Sequence, residues 1–174
     1  MGRKPTLGLI LCKPLFLEDE MNNTEIANLL NGLTEISRDS ADSFKTCANN
    51  ASDPALKSFF MDRAQSCEEA VNTLSVEVLH YGGNPDTSTS AEEGLLHILT
   101  NLKTAFTKKN NLAVLEECEM GEAAAVMAYE NALRQEMPDS LRALLERLYE
   151  GVKKNHEHIM RQLRDQARNN SNLA

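Results

Sequence analysis

The chain has 174 residues, 41% of them hydrophobic, with no tryptophan and a formal net charge of −8. That length fits one domain with enough apolar side chains for a core. The acidic balance argues against a nucleic-acid binder and against an anionic membrane surface, and no apolar run approaches the ~20 residues of a membrane span.

Residues 1–21 show no hydrophobic period. Arg3 and Lys4 precede a patch from Leu7 to Leu11, which falls short of the ~7 to 15 apolar residues of a signal peptide. The segment reads as a flexible N-terminal extension, with Met21 as a candidate natural start. A first helix is expected over 23–49, capped by Asn22, Asn23 or Thr24 and striped by Ile26, Leu30, Leu33, Ile36, Phe44 and Cys47. Asp53 and Pro54 open a second over 54–82, closing at Gly82-Gly83. Ser90 and Glu93 form a capping box for a shorter helix over 90–107, rich in Leu95, Leu96, Ile98, Leu99 and Leu102. Two long helices follow, over 111–136 and 139–167, and residues 168–174 read as a disordered polar tail.

Short turns make antiparallel hairpins of the first and last pairs, and the segment between them is long enough to run the height of a bundle. The expected fold is all-α, a ferritin-like four-helix bundle over 22–167: two hairpins joined by a long crossover that carries the short helix.

In the 111–136 helix, Leu112, Leu115, Glu119, Glu122, Val126, Tyr129 and Leu133 recur at steps of three and four, the spacing of one core-facing stripe. Two of these are glutamates, and an isolated buried carboxylate is costly unless it is neutralised, paired or bound to metal. Counting from the turns places Glu119 and His156 at nearly equal height, with Asp39 in the same layer. Asp39, Glu119, Glu122 and His156, with Glu68, Glu69 and Tyr129 in support, are the ingredients of a carboxylate-histidine site for iron or manganese. The alternative is a metal-free polar layer in which Glu119 pairs with His156. Two-metal sites in such bundles use Glu-x-x-His twice; near this layer the second helix has Glu69-Ala-Val-Asn72 and the last has Lys153 three residues before His156, which favours the metal-free alternative.

The remaining candidates read as structural. His158, about 200° around the helix from His156, is expected at the solvent, and Cys118 one step off the stripe. Cys47 and Cys67 stand at different heights, so reduced thiols in a cytoplasmic protein are the simpler expectation. Neither a phosphate loop nor a nucleophile with a partnered base stands out.

Glu117-Cys-Glu-Met-Gly-Glu122 followed by Tyr129, Leu141-Arg-Ala-Leu-Leu-Glu-Arg-Leu-Tyr149 before Val152 and His156, Asp39, Asp53-Pro54 and Tyr81-Gly-Gly-Asn-Pro85 together resemble a bacterial family of ferritin-like four-helix bundles, a domain of unknown function. The resemblance spans roughly residues 22–165. It implies a cytoplasmic bundle without an assigned activity. The family has a glutamine where Leu148 stands, a departure that removes a polar group near His156. The functional expectation is a non-enzymatic or weakly metal-binding bundle associated with stress. The rivals are a divalent-metal or iron-oxidising site, and a helical module that binds a protein partner or a second copy through the crossover helix.

Overall fold

A computed structural model describes residues 21–85 and 111–171. They form four helices: α1 (Asn23–Asn50), α2 (Pro54–His80), α3 (Asn111–Leu133) and α4 (Asp139–Ser171). No strand occurs among the described residues. Residues 1–20, the expected helix over 90–107 and the last three residues lie outside them.

Local chemistry sets the helix ends. The Asn22 side chain accepts from the backbone N–H groups of Thr24 and Glu25, and Glu25 accepts in return from the Asn22 N–H at 2.8 Å, a complete capping box. Asp53 caps α2 through the Ala55 N–H at 2.8 Å, with Pro54 in the first turn where no N–H is needed. Past His80 the chain turns at Gly82, whose φ of 78° disfavours a side chain, and the Gly83 N–H closes on the Val78 carbonyl at 2.9 Å. α3 stops at Leu133, short of the expected Glu136, because Arg142 of α4 donates to the carbonyls of Leu133 and Gln135 at 2.7 and 2.8 Å. Those are orphan acceptors of a helix end, and the guanidinium replaces the turn that would have used them.

α1 and α2 form one antiparallel hairpin, α3 and α4 the other, and α1 packs on α3. The start of α3 lies at the α1–α2 turn, where Asn111 accepts from the Ser52 N–H and hydroxyl at 3.0 Å each. The far end of α2 returns to the beginning of α1. There the Asn31 amide donates to the Asn84 carbonyl at 3.1 Å.

The buried side of α3 differs from the stripe expected for it. Leu115, Cys118, Glu122, Ala125, Tyr129 and Ala132 face inward, with Val114, Gly121 and Ala128 beside them, whereas Glu119, Val126 and Leu133 are half-buried on the flank. Alanine carries little hydrophobic signal by itself, so the pattern is dominated by the larger flanking residues. In the fold the small side chains are the ones that fit between α3 and its neighbours.

Cys118 therefore points into the core, where its sulfur meets that of Cys47, linking α1 to α3 as a disulfide. This corrects the expectation of reduced thiols, because the packing of α1 on α3 brings Cys47 to Cys118 rather than to Cys67. Cys67 is free and half-buried.

The apolar core is divided in two. One cluster, around Leu30, Leu33, Leu74, Tyr129 and Leu145, fills the end that carries the α3–α4 turn. The other, around Phe44, Phe60, Leu115 and Ile159, fills the end that carries the α1–α2 turn. Between them lies a layer with polar side chains from all four helices.

Candidate functional site

Each helix contributes to the middle layer because its inward stripe turns polar at that height. On α1, Ser37 and Ser40 follow Ile36; on α2, Arg63 and Cys67 flank Ala64; on α3, Glu122 lies between Cys118 and Ala125; on α4, Asn155 lies between Leu145 and Ile159. A cavity of about 180 Å³ that opens to solvent beside the exposed Arg147 and Gly151 occupies the layer and is lined by residues of α1, α2, α3 and α4. Its apolar wall includes Ile36, Leu148 and Val152, and its polar wall includes Ser40, Arg63, Glu122 and Tyr129.

Arg63 bridges α2 to α4 across this space. Its Nη1 donates to Asn155 Oδ1, and the guanidinium lies 5.7 Å from the centre of the Phe59 ring. His158 stacks on the same ring at 4.3 Å; it is half-buried rather than at the solvent, and burial, with Arg161 and Arg63 adding to it, lowers its pKa. A planar cation is thus held from two sides, with its Nε left over.

That remainder recurs around the wall. Ser40 Oγ, Arg63 Nε, Glu122 Oε2 and Tyr129 Oη are all buried and have no hydrogen-bond partner among the described residues. Glu122 is 2% exposed, and burial raises its pKa to about 8, with the Arg63 charge and the Asn155 side chain offsetting part of the rise. Burial likewise pushes Cys67 up to about 12, with Glu122 adding to it, so this thiol is a poor nucleophile near neutral pH. Tyr129 is also raised to about 12 by burial. Ser37 acts to lower it, yet the Ser37 hydroxyl already donates to the Leu33 carbonyl at 2.8 Å and closes no bond with the phenol.

Of the residues expected from sequence as metal ligands, only Glu122 lines the cavity, beside Tyr129. Glu119 and His156 meet each other at 3.1 Å between Oε1 and Nε2, with both side chains 27% exposed. Asp39 is half-buried on α1, one position before Ser40. Glu68 is exposed and pairs with Lys45 at 2.7 Å, and Glu69 is exposed and accepts from Gln65 at 3.2 Å. Among the described residues, no group of three or more His, Cys, Asp or Glu side chains converges closely enough to hold a metal ion.

Arg63, Ser40 and Asn155 escape a sequence reading that looks for metal ligands. The available signal for Arg63 was its place between Phe60 and Cys67 on a core stripe, where a long cation needs a partner. Glu117 was also missed: it is buried, its Oε1 is unpartnered, and burial raises its pKa.

No curated protein matches this chain. A family model does: residues 25–135, covering α1, α2 and α3, match the family described as "Domain of unknown function (DUF2383)". The chain belongs to that family, a helical domain whose function its description leaves open.

Proposed function

We propose that the protein is a non-enzymatic, ferritin-like bundle that binds a small molecule in the cavity between its two core clusters. The observation that carries this reading is the set of four unpartnered polar atoms on the cavity wall. Each buried group left without a hydrogen bond costs ~1–3 kcal/mol. An occupant that bonds to them removes this cost. The space of about 180 Å³ exceeds the ~30 Å³ share of one water and is comparable to the ~150 Å³ cavity that accepts benzene.

The ferritin-like order is supported by the ends of α2 and α3. α2 finishes beside the start of α1 and α3 begins beside the α1–α2 turn, so the link through residues 86–110 is a crossover in this reading. Binding is favoured over catalysis because the nucleophilic groups on the wall, Cys67 and Tyr129, are both held protonated.

A ligand-observed NMR screen of ring compounds of about benzene's size tests the proposal, beside an Ala70→Leu variant that fills the cavity from α2. Binding that disappears in the variant supports it. No binding to the folded protein, or binding that ignores the filling, removes it.

A second reading keeps a divalent ion, iron or manganese, at Glu119 and His156. Its support is their 3.1 Å contact, which puts one carboxylate and one imidazole together at a solvent-accessible edge. Stoichiometric metal in untagged protein, lost in Glu119→Ala, is its expected signature. Protein that arrives metal-free and takes up no ferrous ion anaerobically contradicts it.

The setting in this account is the cytoplasm. No described helix is long and apolar enough to cross a membrane. The Cys47–Cys118 pair bears on the compartment, because disulfides are rare in reducing cytosol. Alkylation under denaturing lysis tests it: a disulfide leaves both cysteines protected until a reductant is added and speaks for an oxidising compartment, whereas both modified without reductant fits the cytoplasm.

A further inference from the structure

Resting on the cavity reading above, we propose that the occupant is a small organic carboxylate with a compact apolar body. Its oxygens would take the hydrogen bonds that Arg63, Tyr129 and Ser40 leave unmade, and its body would lie on Ile36, Leu148 and Val152.

The donor count decides the class. An arginine Nε can only donate, and serine and tyrosine hydroxyls donate readily, so three of the four unpartnered atoms call for an acceptor. The charges agree, since Arg63 and Arg147 both line the cavity and Glu122 is its acidic side chain. A cationic ligand would meet two guanidinium groups. A neutral one would leave the Arg63 Nε without the charged acceptor that makes its strongest bond. Glu122 does not repel the anion, because its burial favours the neutral acid, which adds a fourth donor. The wall is amphipathic: the unpartnered hydroxyls come from α1 and α3, while Leu148 and Val152 on α4 present hydrocarbon. A carboxylate joined to a ring or a short branched chain matches both halves.

Isothermal titration calorimetry on the full chain with benzoate, benzyl alcohol and benzylamine separates the possibilities, because the three share one body and differ in the head group. Benzoate should bind about ten-fold or more tightly than the other two. Tyr129→Phe, which keeps the ring and removes the donor, should weaken benzoate about ten-fold while leaving benzyl alcohol within a few-fold. Ser40→Ala should act in the same direction and serves if the tyrosine variant does not fold. Preference for benzylamine or benzyl alcohol, or benzoate affinity untouched by both variants, overturns the carboxylate assignment and leaves the cavity as a binding seat for another class. No binding of any of the three, together with no hit in the wider ring-compound screen, overturns both.

Discussion

Glu122 is the residue at which the fold and the site meet. It sits 2% exposed on the inward stripe of α3, with a pKa raised to about 8 by burial. The charged and titratable groups that line the cavity with it are Arg63 and Cys67 from α2, Arg147 from α4 and Tyr129 from its own helix; α1 offers hydroxyls and α4 the Asn155 amide. A folded-state pKa above the unfolded value near 4.5 means that the native state holds the extra proton. The associated stability is fully present below about pH 4.5 and is lost as pH rises through about 8. The melting temperature should therefore fall between pH 5 and pH 8. Glu122→Gln should flatten that slope, and a slope unchanged in the variant would show that another group carries it. Cys67 gives an independent check on the same layer. With its pKa at about 12, iodoacetamide should alkylate it far more slowly than a free cysteine at pH 8 in the native protein, and at the ordinary rate in urea. Glu122 was legible in the sequence because a carboxylate on a core stripe has to be accounted for. Ser40 and Asn155 were not, since each lies one helical position from a residue with more evident chemistry, Asp39 and His156.

That one-residue displacement is the lesson at the scale of the helix. Counting residues from the turns gave the height of the polar layer, because rise per residue is fixed once a helix forms. It did not give the direction of each side chain, because neighbours differ by ~100° and the direction depends on which stripe packs inward. On α3 that choice is made by Ala124, Ala125, Ala128 and Ala132, small residues that disappear behind Val126 and Leu133 in a hydrophobic pattern. Two glycines give opposite predictions from the same substitution. Gly151 lies within α4, where an added Cβ would meet nothing within 4 Å, so Gly151→Ala should raise the urea midpoint, by up to ~1 kcal/mol in stability. Gly83 follows the turn after α2, where a Cβ would come within 2.8 Å of Ala27 Cβ, so Gly83→Ala should destabilise by ~1–3 kcal/mol. If Gly83→Ala proved neutral, the packing of the α1–α2 hairpin end would differ from that described.

For the whole molecule, the consequence is a core that is solid at both ends and hollow in the middle. The end clusters hold Leu30, Phe60, Leu74, Leu115, Leu145 and Ile159 with almost no exposed surface, so they account for a folded domain without help from the layer between them. Phe60→Ala should cost ~3–5 kcal/mol, read as a shift in the denaturation midpoint, whereas Ser40→Ala in the hollow layer should cost little or stabilise, because it removes an unpartnered hydroxyl. The four long helices and their pairing were readable from period, caps and turn lengths. The division of the core was not, because it depends on which stripes of four separate helices coincide in space. A crystal structure of the untagged protein tests the central claim most directly. The account predicts an open cavity with density from a bound molecule bridging Arg63 Nε and the Tyr129 hydroxyl. A closed layer, with Arg63, Glu122 and Tyr129 bonded to one another and no space between them, would contradict it.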